Sequence, residues 1–214
     1  MIITIDGPAG SGKSTVARLL AERLNIRFLD TGSMYRAVAL AVLRAEVDEN
    51  DQSAVAAIAK NCRISFQDDI LLLNDVDVTS EIRTPEVTAV SSIIASNPKV
   101  RKRLVELQRD LGRNGSMVTE GRDQGTVVFP KAEHKFFVTA NLEARSRRRQ
   151  RELVHKGVNQ PIPVVMDQLR QRDERDENRT HAPMKPAKNA VVIDTSDLTI
   201  AQVVDMLVKR IQQT

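Results

Sequence analysis

The chain has no tryptophan, one tyrosine and five phenylalanines in 214 residues, so aromatic side chains make up only 3% of it. Its core therefore has to be aliphatic, and an apolar content of 41% is enough for one α/β domain with insertions. A single cysteine, Cys62, excludes an internal disulfide and reads as a buried structural thiol. No apolar run approaches the ~20 residues that span a bilayer, and no basic-plus-apolar leader precedes the first strand. A cytoplasmic protein with no membrane partner is expected. The net charge, 32 − 28 = +4, is too small to argue for nucleic acid by itself. His134, His155 and His181 are scattered and none adjoins a serine or cysteine, so no nucleophile–base pair is evident. The Asp-x-x-Gly switch and Asn-Lys-x-Asp base reader of signalling GTPases are both missing, and no internal repeat or low-complexity tract occurs.

What is present is concentrated at the start. Ile2 to Ile5 form a short β-branched run, Asp6 ends it, and Gly7-Pro8-Ala9-Gly10-Ser11-Gly12-Lys13-Ser14-Thr15 follows. This is the phosphate-loop pattern G-x-x-x-x-G-K-[ST], with the strand before it that the pattern requires. Val16, Leu19, Leu20 and Leu24 recur at helical spacing and supply the helix after it. Glycines let successive N–H groups turn inward onto an anion, and the positive end of the helix dipole faces the same anion. Lys13 is expected to reach the β- and γ-phosphates and the Ser14 hydroxyl to ligate Mg²⁺. A purine nucleoside triphosphate, ATP, with Mg²⁺ is the expected ligand pair.

Further on, residues 26–30 read as a second strand, and Thr31 is placed to cap a helix with the stripe Met34, Ala37, Val38, Ala41, Val42. Tyr35 and Arg36 fall off that stripe and face either a cleft or solvent. A short helix is expected over 51–59. From Cys62 the period becomes two, with turns at Asp68-Asp69 and Asn74-Asp75, which predicts a small antiparallel meander. Helices are expected from Pro85 to about 95 and from Pro98 to Gly112. Core strands are expected at 117–119, 135–138 and 190–194, and a last helix carries Ile200, Val203, Val204, Leu207 and Ile211. The polar stretch 120–126 follows a strand's carboxyl end, where doubly wound sheets bind ligands, so Arg122 and Asp123 become site candidates.

Residues 143–179 hold ten Lys or Arg and seven Asp or Glu. Arg145, Arg147, Arg148, Arg149 and Arg151 form a helical basic cluster, and a second helix opens at Pro161. Three readings stand: solvated helices laced with ion pairs, a mobile lid whose arginines close over phosphates, and a nucleic-acid patch. The third is disfavoured because no aromatic side chain is interleaved for base stacking.

A small kinase with two inserts fits this layout better than a motor ATPase, since only one short helix follows Val191–Asp194. If the acceptor is itself a phosphate, no general base is needed, because its second pKa of about 6 leaves it largely dianionic. Four stretches resemble the bacterial-type cytidylate kinases, in order and over essentially the whole chain: 7–15, Asp30-Thr31-Gly32-Ser33-Met34-Tyr35-Arg36, 121–130, and Arg172-Asp173-Glu174-Arg175-Asp176-Glu177-Asn178-Arg179. The meander with Glu81-Ile82-Arg83-Thr84 also looks like that family's enlarged monophosphate-binding insert.

The resemblance implies a P-loop NTPase fold: a five-stranded parallel core sheet flanked by helices, a small antiparallel β insert and a helical lid. Residues 1–30, 98–142 and 180–214 would be core, 31–97 the insert and 143–179 the lid. It implies phosphoryl transfer from MgATP to CMP or dCMP. Arg36 and Arg122 would hold the acceptor phosphate, with Thr31 nearby, where the family often has serine. Ser92, Arg101 and Asp123 would read cytosine, with Arg179 assisting. A carboxylate suits cytosine's exocyclic amino group and would be left unpaired by uracil. Tyr35, Arg172 and Asp176 would contact the ribose or its phosphate. Arg145, Arg148 and Arg149 would lie near ATP. Glu120 departs from the aspartate common in the family and is a secondary candidate. A monomer without nucleic-acid partners is expected. The alternatives are a P-loop kinase of another small acceptor, using Asp123 or Glu120 to activate a hydroxyl, and an ATP-dependent nucleic-acid-binding module.

Overall fold

The computed structural model describes residues 1–67, 69–113, 115–155 and 157–213. Asp68, expected in the first meander turn, lies outside the described residues. The chain divides into two compact units, one of residues 1–29 with 114–214 and one of residues 30–113.

The first unit is built on a five-stranded parallel sheet. Its strands are β1 (Ile2–Asp6), β2 (Arg27–Asp30), β6 (Met117–Gly121), β7 (His134–Thr139) and β8 (Val191–Asp194), in the order β2-β6-β1-β7-β8. β1 is central and parallel to both neighbours, so its last residue, Asp6, registers with Gly121 on one side and Phe137 on the other. The strand before the phosphate loop therefore ends beside the residue that precedes Arg122. Helix α1 (Lys13–Leu24) and helix α8 (Ile200–Gln212) pack together, and α1 packs on β6. Ile3, Ile5, Val118, Phe136 and Val138 from the strands meet Val16, Leu20, Val203 and Leu207 from these helices in one buried cluster. The core is aliphatic as the composition requires, with Phe136 the one aromatic among the largest fully buried side chains of the described residues. Helices α6 (Leu142–His155) and α7 (Ile162–Glu177) pair and form a second cluster, in which Leu153, Val165 and Leu169 pack with Ala9 of the phosphate loop.

In the second unit, helices α2 (Thr31–Arg44), α3 (Gln52–Asn61), α4 (Pro85–Ile94) and α5 (Pro98–Gly112) accompany an antiparallel sheet of β3 (Ile64–Gln67), β4 (Ile70–Leu73) and β5 (Val76–Asp77). Cys62 is buried at the end of α3, as expected, and burial pushes its thiol pKa up. α2 packs on α4, and α3 on α5. The boundary drawn from sequence at 97/98 thus differs from the compact division at 113/114, because α5 buries its apolar face on α3 and α2.

Two local expectations are corrected, and one element appears where none was expected. Thr31 does not cap α2: Asp30 does, its Oδ1 accepting from the Ser33 amide at 3.0 Å while Ser33 Oγ donates to the Asp30 carbonyl at 2.6 Å. A carboxylate one residue earlier is the stronger acceptor for a helix N-terminus. β6 runs two residues past its expected end, to Gly121, because its pairing with β1 continues to Asp6. The stretch after it is not an open loop: Gln124–Val128 wind into a π-helical turn, with Val128 N–H donating to the Asp123 carbonyl.

Candidate active site

The phosphate loop follows β1 directly and cannot be built with side chains at its corners. A Cβ on Gly7 would sit 2.0 Å from the Val138 carbonyl oxygen. Gly12 takes φ 86° as the N-cap of α1 and offers no side chain to the first-turn amides, which leaves them to an anion. Lys13 is 5% exposed, and its Nζ donates to the Pro8 carbonyl at 3.1 Å and lies 4.0 Å from Glu120 Oε2. Burial, then the charges of Arg122 and Arg172, lower the Lys13 pKa from 10.5 to about 7, against the opposing pull of Glu120 and Asp176.

Ser14 Oγ donates to Glu120 Oε1 at 2.9 Å, so Glu120 touches both the loop lysine and the loop hydroxyl. Among the described residues no three His, Cys, Asp or Glu side chains gather as a metal cage. The hydroxyl of Ser14 beside one carboxylate nevertheless fits Mg²⁺, which binds few protein groups when phosphates and water fill its octahedron.

Arg122 lies mostly buried, its Nε donating to Asp176 Oδ2 at 2.8 Å and its Nη1 to the Gly121 carbonyl at 3.2 Å. Burial alone would raise the Asp176 pKa, but Arg122, Arg172 and Arg179 outweigh it and hold the carboxyl below its usual range. Arg179 Nη1 is 3.8 Å from Asp176 Oδ1, and its Nη2 donates to the Ala182 carbonyl. Asp123, the next residue, is 3% exposed. The strand end at 120–123 and the end of α7 thus bring Glu120, Arg122, Asp123, Arg172, Asp176 and Arg179 into one unit with the phosphate loop.

The arginines of α6 split between two faces. Arg145 is buried, donating from Nε to the Ala140 carbonyl and from Nη1 to the Ala9 carbonyl and Asp173 Oδ2. Arg148 donates to the Ser11 carbonyl at 3.3 Å and to Thr195 Oγ1 at 3.0 Å. Arg147 is exposed and pairs with Glu143, while the partly buried Arg149 pairs with Glu152. The ion-paired and the phosphate-facing readings of this helix therefore describe different faces of it. Arg149 Nη1 donates to Glu152 Oε2, three residues on along the same helix, at 3.0 Å.

In the other unit Arg36 is mostly buried and its Nη2 donates to Asp30 Oδ2 at 2.8 Å. Thr31 is 2% exposed. Arg101, 5% exposed, lies over the Tyr35 ring at 5.7 Å and donates to the Ala95 carbonyl. Several buried polar atoms have no hydrogen-bond partner, among them Ser11 Oγ, Asp173 Oδ1, Arg36 Nε and Ser92 Oγ.

Sequence reasoning assigned no role to Asp6, Asp30, Asp173 or Thr195. Thr195 ties the end of β8 to the loop, its Oγ1 lying 3.1 Å from the Ser11 carbonyl oxygen and 3.0 Å from that of Thr139. Asp6 carried the clearest signal, as a carboxylate ending an otherwise apolar strand.

A parallel sheet whose central strand runs into a glycine-rich loop, with the loop's lysine and serine on a buried carboxylate, defines a P-loop kinase. The shikimate kinase of Bacteroides thetaiotaomicron shares the fold, at TM-score 0.51 and 13% identity over 99% of this chain and 98% of that one. An uncharacterised protein of Eubacterium ventriosum does so at TM-score 0.57 and 14% identity, over 100% and 99%. The cytidylate kinase family profile matches residues 3–213. Cytidylate kinases of Clostridioides difficile strain 630 and Mycobacterium avium strain 104 are 43% and 47% identical, over 99% and 100% of this chain and 98% and 96% of their own. The chain belongs to the cytidylate kinase family.

Proposed function

We propose that the protein transfers the γ-phosphoryl group of ATP to CMP or dCMP, releasing ADP and CDP or dCDP. Membership of the cytidylate kinase family across residues 3–213 supports the reaction. The observation that carries it in the site is the glycine-rich loop whose buried Lys13 and Ser14 meet Glu120, with Arg122 on the strand end beside it.

The phosphate-loop amides and Lys13 hold the donor's β- and γ-phosphates, with Gly7 through Thr15 wrapped around them. Bound Mg²⁺ offsets charge on those oxygens, and Ser14 with Glu120 would hold it. Arg36 and Arg122 hold the acceptor phosphate, Tyr35, Arg172 and Asp176 orient the ribose, and Ser92, Arg101, Asp123 and Arg179 read cytosine. The acceptor phosphate needs no general base, so the chain's contribution is positioning and positive charge. Residues 31–97 serve as the acceptor-binding insert. Residues 143–179 serve as a lid, where Arg145, Arg148 and Arg149 complete the donor site and exclude water. The protein works as a cytoplasmic monomer; among the described residues no helix is long and apolar enough to cross a membrane.

A coupled ADP-release assay with MgATP and CMP, dCMP, UMP, AMP and GMP tests this reading. Turnover with CMP and dCMP well above the rest is expected. No turnover with any monophosphate refutes it.

A further inference from the structure

Asp6 is buried at 3% exposure, and nothing in the proposed chemistry uses it. Its Oδ1 accepts from the Gln124 amide and its Oδ2 from the Gly125 amide, both at 2.8 Å. These two amides open the π-helical turn that follows Arg122 and Asp123. On the other side Asp6 is followed at once by Gly7, whose backbone packs so closely on Val138 that a Cβ there would lie 2.0 Å from its carbonyl oxygen. One carboxylate therefore bridges the start of the phosphate loop and the segment carrying Arg122 and Asp123.

The same segment is held at two more points. Thr119 Oγ1 donates to Gln124 Oε1 at 2.9 Å, and a Cβ on Gly125 would meet Thr4 Oγ1 at 2.9 Å and Lys135 Cδ at 3.3 Å. Neither contact reaches the phosphate loop; Glu120 does so from before Arg122, through Ser14 and Lys13, and Asp6 does so from beyond Asp123, through Gln124 and Gly125. A pair of charge-assisted bonds is also stiffer than neutral ones.

We propose that Asp6 is a positioning residue that fixes Arg122 and Asp123 relative to the phosphate loop, and with them the acceptor relative to the donor. This rests on the reading of the site as a CMP kinase. Phosphoryl transfer is sensitive to such alignment: a misplacement of about 1 Å can cost on the order of 100-fold in rate.

The test compares wild type with Asp6→Asn, which keeps the shape but sets an NH₂ against one of the two amides. Both are assayed with MgATP and CMP well below their melting temperatures, counting folded protein. The expected result is a fall in kcat of about 10- to 100-fold with KM for MgATP within about twofold, since the loop amides still hold the donor. A role confined to stability would lower the melting temperature and leave kcat and KM per folded molecule unchanged, and that result overturns the proposal. If Asp6→Asn does not fold, amide hydrogen exchange on the wild type decides. Gln124 and Gly125 must be among the slowest-exchanging amides of their segment, and fast exchange there overturns the proposal. Wild-type turnover of CMP is read separately, so failure of the kinase reading shows there and not in the variant-to-wild-type ratio.

Discussion

Binding of MgATP should draw a proton onto Lys13. In the free protein burial and the charges of Arg122 and Arg172 bring its pKa down to about 7. At pH 8 only about one lysine in ten then carries its proton, by the ordinary titration relation. A triphosphate placed against Nζ supplies the missing opposite charge and moves the pKa back toward its unperturbed value of about 10.4, so the bound lysine is almost fully charged. Uptake is therefore about 0.9 proton per site at pH 8, about 0.5 at pH 7 and about 0.1 at pH 6. At pH 8 phosphate groups with a pKa near 6 are already ionised and add little of their own. Titration calorimetry without acceptor, run in buffers of different ionisation enthalpy, reads the uptake as a slope. Asp6 also titrates near 7, so the assignment needs two variants. Lys13→Met should abolish the uptake and Asp6→Asn should retain it. A slope near zero at pH 8, or one that survives in Lys13→Met, refutes the reasoning.

Asp123→Ala should lose the preference for CMP over UMP, by about 1–3 kcal/mol, or roughly 5- to 150-fold in kcat/KM measured for the two nucleotides side by side. Asp6 has a folded pKa of about 7 against an ordinary 3.8, so the native state binds the extra proton and stability falls as pH rises from about 4 to 7. Urea melts across that range should show this slope, worth on the order of 4 kcal/mol, in wild type and lose it in Asp6→Asn. Lys13 works in the opposite sense and higher up: with its folded pKa lowered, stability rises between about 7 and 10.5. Asp176→Ala leaves the buried Arg122 guanidinium without its carboxylate and should cost about 3–5 kcal/mol in the same melts, with Asp176→Asn costing less because an acceptor remains.

The core of the fold was legible because its signals are local. The phosphate loop states its own context, and the short runs at 2–5, 117–119 and 135–138, rich in β-branched or aromatic residues, read as buried parallel strands. Helix starts at Pro85 and Pro98 were legible for the same reason: Thr84 and Asn97 cap them from the adjacent position. The π-helical turn at Gln124–Val128 was not, since no composition rule distinguishes it from a polar loop. Nor could spacing assign Asp6 to the Gln124 and Gly125 amides, more than a hundred residues away, because that contact exists only once β1 and β6 are neighbours.

The arginine-rich helix α6 shows where sequence periodicity stops being informative. Arg145 and Arg148 lie three apart and so share a face, while Arg147 lies four from Glu143 and shares another. That much is readable from spacing. Which face turns inward is not, because a helix this polar has few apolar residues to mark its buried side, and Leu153 alone of its leucines is fully buried. The decision is made by acceptors elsewhere: the carbonyls of Ala9, Ser11 and Ala140, and Asp173 on α7. Backbone carbonyls at a strained, glycine-rich loop need donors, and a guanidinium can reach several at once where an ammonium offers one compact point. Arg145 and Arg148 are thus fixed first by the shape of the phosphate loop. The proposed role of their charge at the donor phosphates rests on that placement.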